Sequence, residues 1–141
     1  MYIRALRATW TKQVNWLTDD IRVILVSSAY APNQDTHDNL DDVLAFQVSG
    51  TGYTAGGLPL QNKTVTVDEA NNVVILDTDD ATWANSTITA RYAIVYNNTG
   101  ASDSQKPVLS YLDLLSDQAS KSGNFTVTWD ATGIMRHTTP A

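Results

Sequence analysis

The chain has 141 residues, a formal net charge of -6 and no cysteine. Its 43% hydrophobic and 17% charged residues exclude a solvated disordered chain and suffice for one domain with a real core. Nine Lys and Arg, spread singly, give no basic face for nucleic acid, and a chain without thiols has no disulfide, thiolate metal site or cysteine nucleophile.

Residues 2–14 carry Ile3, Leu6, Trp10 and Val14 at spacings of three and four, which predicts an amphipathic N-terminal helix, with an extended arm as the alternative. Ile21 to Ser27 is a β-branched apolar run too short for a buried helix, so it reads as a strand covered on both faces. Residues 31–35 are loop, and 36–43 read as one or two helical turns with Asp35 or Thr36 as cap. Phe46 and Val48 alternate with polar neighbours as in a strand, and Gly50, Gly52, Gly56 and Gly57 then break the run.

The second half is a succession of strands and turns. Residues 64–68 and 73–76 flank Glu69-Ala70-Asn71-Asn72 as a hairpin. Asp77 to Asp80 is an acidic loop. Ser86 to Asn97 reads as one long strand with Ile88, Ala90, Tyr92, Ile94 and Tyr96 on one face. Pro107 to Leu115 fits strand or short helix, 117–124 is loop, and Phe125, Val127 and Trp129 alternate on a last strong strand. Ile134 to His137 follows a turn. The whole, 1–141, is expected to be a single all-β domain, an antiparallel sandwich or barrel: a helix or arm over 1–18, the β domain over 19–137 and a frayed tail over 138–141. No apolar run approaches the roughly 18 residues of a membrane helix, so neither membrane nor nucleic acid is an expected partner, and the protein is expected to be soluble or held by protein contacts.

Chemistry is sparse. His37 and His137 have no serine in a nucleophile-elbow context and read as surface residues. The Gly50–Gly56 segment has the wrong spacing for a dinucleotide fingerprint, and no helix opens after it. Asp77, Asp79 and Asp80 present alternate oxygens that a calcium ion could use, but they lack the glycine and late glutamate of a calcium loop, and a solvated acidic turn is the simpler reading. Asp35, Asp38, Asp41 and Asp42 form a second acidic group. Trp16 and Trp83 lie near turns, where a carbohydrate platform or a protein interface could use them; Trp129 and Tyr92 read as core. Four N-glycosylation patterns, at Asn62, Asn85, Asn97 and Asn124, follow from a composition rich in Asn and Thr. No catalytic residue and no cofactor is expected.

Five segments taken together carry a family resemblance. They are Asp19-Asp-Ile-Arg-Val-Ile-Leu25, Val48-Ser-Gly-Thr-Gly-Tyr-Thr-Ala-Gly-Gly57, Thr82-Trp-Ala84, Ala90-Arg-Tyr-Ala-Ile-Val-Tyr96 and Phe125-Thr-Val-Thr-Trp-Asp-Ala-Thr-Gly133. In that order the chain resembles small virion proteins of tailed bacteriophages encoded among the structural genes. The resemblance implies a β-rich, non-enzymatic head decoration (cement) protein on the outer surface of the capsid. Its partner would be the major capsid protein, and it would self-associate, for instance as a trimer. It also favours strand over helix for Pro107 to Leu115. The contact residues expected under this reading are Tyr2, Ile3, Leu6, Arg7 and Trp10 of the N-terminal segment, and Gly50, Gly52, Tyr53 and Gly56 of the glycine loop. Burial of the N-terminal stripe against the domain's own core is the competing reading. A tail- or fibre-associated carbohydrate-binding module is the alternative function, and a glycan hydrolase using Asp77, Asp79 and Asp80 is the third.

Overall fold

The computed structural model of the protein describes residues 2–140 and, at Ile3, the backbone alone. The first strand, β1 (Ile21–Val26), buries every residue except Arg22, as its unbroken β-branched run predicts. It is flanked on one side by the two-residue β2 (Leu58–Pro59) and on the other by β6 (Thr89–Asn97), which pairs with it over its full length from Ile21↔Asn97 to Val26↔Tyr92. Beyond β6 lies β7 (Val108–Ala119), so the main sheet runs β2-β1-β6-β7, antiparallel throughout. Two smaller antiparallel sheets complete the molecule. One is β3 (Thr64–Asp68), β4 (Val73–Asp77) and β9 (Met135–Thr138); the other is β5 (Ala81–Ser86) with β8 (Gly123–Val127). With 41% strand, the architecture is all-β and sandwich-like, and one continuous cluster of buried side chains joins the three sheets to the N-terminal helix.

That helix, α1 (Ile3–Trp10), has eight residues, too few to persist alone in water. Tertiary contacts hold it. The Tyr2 N–H donates to the Leu109 carbonyl of β7 at 2.9 Å, and Tyr2, Ala5 and Ala8 face inward. The stripe expected to be buried is therefore displaced: Trp10 is 79% exposed, and small alanines take the inner face because they allow the helix to lie close on β7. The helix ends at Thr11, and Lys12 turns the chain with a positive φ of 60°.

The strand expected over Ser86–Asn97 forms as β6 from Thr89 onward, while Ser86 ends β5 in another sheet. The chain crosses between the two sheets at Asn85 (φ 50°) and at the buried Ser86, whose hydroxyl lies within 3.0 Å of the Trp83 and Gly123 carbonyls and 2.7 Å from the Ser120 hydroxyl. Those bonds fix a bend that hydrophobic alternation does not encode. From Ala93 to Asn97, β6 is buried without a break, so it is covered on both faces rather than one. β7 is a strand, as the resemblance implied, and it continues through 117–119, where a loop was expected. The hairpin of β3 and β4 and the strand β9 form as read from the sequence, while β8 starts at Gly123, where a loop was expected, and ends at Val127, short of Trp129. Thr139, placed in the frayed tail, still donates its N–H to the Asn72 carbonyl.

The connection from β1 to β2 spans residues 27–57 and is anchored along its length. Of the one or two helical turns expected over 36–43, one forms as a short 3-10 turn, Leu40–Asp42, with Asn39 rather than Asp35 or Thr36 as its cap, and a second, Leu44–Phe46, follows. Asn39 and Asp42 close the first turn reciprocally as a capping box. In place of a strand through Phe46, only Gln47 and Val48 run along β1, with the Val48 N–H donating to the Leu25 carbonyl. At the end of the connection Gly57 has φ 73°, and a Cβ there would stand 1.9 Å from the Val23 carbonyl oxygen. A Gly57→Ala substitution is thus expected to cost at least about 2–3 kcal/mol, from the left-handed backbone and the forced retreat of β1. Chemical denaturation followed by tryptophan fluorescence checks it.

Candidate interaction surface

The N-terminal helix is pinned by a chain of aromatic hydroxyls. Tyr2 Oη lies 2.9 Å from Tyr30 Oη, and Tyr30 Oη lies 2.9 Å from His37 Nδ1. Burial, and then the bond to Tyr30, push the Tyr2 hydroxyl far above the usual phenol range; Tyr30 is also raised, chiefly by burial, so both rings stay neutral hydrogen-bonding groups. His37 is thus an anchor within the 27–57 connection rather than a free surface residue. Arg4 Nη1 adds an ion pair to Asp38 Oδ2 at 2.6 Å.

Beside this anchor lies an open polar cleft of about 480 Å³ between α1, the 38–39 segment and the loop after β6. Arg4, Arg7 and Gln13 line one side of it, Asp38 and Asn39 another, and Asn97 lies at its base. The Asn97 side chain is consumed internally: its Nδ2 donates to Asp19 Oδ2 at 2.7 Å, and its Oδ1 accepts from the Thr99 N–H at 2.9 Å. The cleft therefore offers guanidinium groups and amides for polar recognition. It presents no nucleophile paired with a base.

Of the contact residues expected on the helix, Arg7 and Trp10 face outward and Leu6 is half-buried. Tyr2 is corrected to a core residue, because its ring is fully buried and its hydroxyl is bonded to Tyr30. The side chain of Ile3 lies outside the described residues.

The glycine loop has internal reasons for its composition. The Tyr53 hydroxyl donates to Gln47 Oε1 at 3.0 Å and accepts from the Leu25 N–H at 3.2 Å, while its ring stacks on Trp83 at 5.9 Å. Tyr53 is therefore a half-buried anchor of the loop, with a hydroxyl pushed up by burial to about 12. The Gly56 N–H donates to the same Gln47 oxygen and its carbonyl accepts from the Tyr96 hydroxyl. Gly50 and Gly52 stay exposed, but a side chain on Gly50 would stand 2.3 Å from the Thr87 carbonyl oxygen. The loop leads into β2 and the helix lies on β7, the opposite edges of the main sheet, so the two expected contact segments do not form one patch.

The tryptophans proposed as platforms are buried. Trp16 is 6% exposed and donates to the Thr64 carbonyl, and Trp83 is 2% exposed between Tyr53 and Phe125. The acidic candidates are spent on turns: Asp77 Oδ1 accepts from the Thr78 N–H, Asp79 Oδ2 from Asn62 Nδ2 and Asp80 Oδ1 from the Trp129 N–H. Among the described residues no three His, Asp or Glu side chains are placed to share a metal ion.

Two carboxylates couple the surface to pH. Desolvation alone would raise Asp42, but N–H bonds from Asp38 and Asn39 and the nearby His37 outweigh it and hold the carboxyl below its usual 3.8. Desolvation is likewise outweighed at Asp20 by Asn98 and Arg22, each donating at 2.8 Å. A depressed folded-state pKa adds stability that is fully present above the unfolded value and is lost as pH falls through the folded one. Thermal stability is therefore expected to drop as pH goes below about 4. Asp42→Asn, read by circular dichroism melts between neutral and acid pH, should flatten part of that drop.

Comparison of the chain with protein-family models, with characterised proteins and with solved structures finds no match.

Proposed function

We propose that the protein is a non-enzymatic structural protein of a tailed-bacteriophage virion, a head decoration protein that binds the major capsid protein on the outer shell and stabilises it. The family resemblance motivates this reading. The observation that supports it best is Trp10, 79% exposed on a helix that Tyr2 holds rigidly to the domain, with Arg7 outward on the same short helix. Exposed Trp and Arg are the side chains most used as binding hot spots, and a pinned helix loses little conformational freedom on docking. The polar Arg4–Asp38 cleft beside it supplies a rim where a partner's carboxylate or amide groups could be bonded.

Physically, such a protein stabilises a shell by binding the assembled lattice better than the loosened one. Many copies on a symmetric surface then act together even when each contact is weak. The carbohydrate-binding alternative drew on Trp16 and Trp83, and both rings are in the core.

Immunogold electron microscopy of intact virions tests the location, and binding of the purified protein to undecorated capsids tests the surface. Label over the head is expected, with Trp10→Ala weakening capsid binding by about 2 kcal/mol or more, roughly thirtyfold. The melting temperature should hardly change, because the ring contributes little to the core. Label confined to tails or fibres, or a Trp10→Ala variant that decorates capsids like the wild type, overturns the proposal.

A further inference from the structure

The β3-β4-β9 sheet ends in an exposed strand edge, with charge only at its two ends, Lys63 and Asp68. β3 reads Thr64-Val-Thr-Val-Asp68, without lysine, proline or bulge within it, and its first four residues are all exposed. Val67 is 65% exposed and Val65 43%. Natural edge strands are commonly blunted by charge, proline or a bulge, because an open row of backbone groups pairs with any strand that reaches it.

The direction of those groups follows from the ladder. On the far side of β4, the Asn72 and Leu76 carbonyls accept from Thr139 and Ile134, so residues 72, 74 and 76 bond toward β9. Antiparallel alternation then turns Val73, Ile75 and Asp77 toward their β3 partners Asp68, Thr66 and Thr64. Val65 and Val67 are left with N–H and C=O pointing out of the sheet. These two residues match each other across a twofold axis.

We infer that the β3 edge binds a second copy of this chain, as an antiparallel β3–β3 pair centred on Thr66. In that register Val65 and Val67 of each copy lie opposite Val67 and Val65 of the other and exchange backbone hydrogen bonds. Thr66 faces its own counterpart. Thr64 lies opposite Asp68, whose carboxylate is already turned into its own hairpin by Asn71. The charges flanking the strand also fit. The register brings Lys63, whose Nζ donates one hydrogen bond to the Asp19 carbonyl of its own chain and keeps two N–H donors, beside Glu69 of the second copy. Glu69 is the only glutamate in the chain, and it makes no ion pair among the described residues. Shifting the centre to Val65 or Val67 also places outward groups opposite one another but forfeits strand overlap and the Lys63–Glu69 match. The result is a closed, isologous contact, which stops at two copies and merges two three-stranded sheets into one. It is independent of the capsid reading.

The native chain has no cysteine, which makes a clean test available. Facing residues at a non-hydrogen-bonded antiparallel position have Cα atoms about 4.5 Å apart, within disulfide range. A Thr66→Cys variant is expected to form a covalent dimer under mild oxidation. A Thr64→Cys variant, whose two copies would be displaced along the strands, is expected to stay monomeric. In sedimentation at about 0.15 M salt, where the net negative charge is screened beyond roughly 8 Å, the wild type should pass from monomer to dimer with concentration. Val67→Pro removes an N–H that has no partner within the monomer and should abolish the dimer. Equal cross-linking at 64 and 66, a wild type that remains monomeric at every concentration, or a dimer that survives Val67→Pro overturns the inference. The cross-linking comparison decides the question even if the proline variant does not fold.

Discussion

The structure depends on the pairing of β1 with β6. Both strands are apolar on both faces over most of their paired length, so a single covering layer would leave half of their side chains in water. At roughly 25 cal/mol per Å² of apolar surface, that exposure is far larger than any surface interaction in the molecule could offset. The remaining elements serve as covers for this pair. The two smaller sheets, α1 and the anchored 27–57 connection all contribute to one buried cluster around it.

The covers are held by polar bonds of long sequence separation more than by their own propensity. α1 would not form alone, and it stays because Tyr2 is bonded to Leu109 through its backbone and to Tyr30 through its ring. Tyr30 in turn ties to His37, and Asp42 closes the turn beyond it. Helix, connection and main sheet therefore share one network, in which losing a member strands a buried hydroxyl. This rigidity matters for a binding role, because side chains exposed on a fixed frame need little ordering when a partner arrives. One buried donor has no partner in the described structure, Trp83 Nε1. Its ring sits between Tyr53 and Phe125, and aromatic packing there offsets a desolvation cost of about 1–3 kcal/mol.

The same physics separates the two exposed regions. On α1, the exposed groups are a bulky aromatic and a cation on a short, pinned helix, suited to a pocket or groove in a partner. At β3, they are backbone groups in a regular row, suited only to another strand. Most of the acidic residues belong to neither. Asp20, Asp42, Asp79 and Asp80 each accept specific donors and shape turns, so the negative charge of the chain coincides with its loop architecture.

By itself the sequence determined the local elements whose period and composition agree. These are the doubly buried run at Ile21–Val26, the β3–β4 hairpin around Asn71-Asn72, the strand through Phe125 and Val127, and the all-β class that follows from short apolar runs between turn signals. It left open everything decided by partners distant along the chain. The division of 81–97 between two sheets rests on Ser86 meeting Ser120 and Gly123. The inward face of α1 rests on the close approach of β7, and the burial of Trp16 and Trp83 on Thr64, Tyr53 and Phe125. Hydrophobic periodicity reports which side of an element prefers to be dry, but not which element arrives to cover it. For that reason the bonds that Gln47 and Tyr96 make to the glycine loop, the cleft joining Arg4, Asp38 and Asn97 and the open β3 edge appear only once the chain is folded.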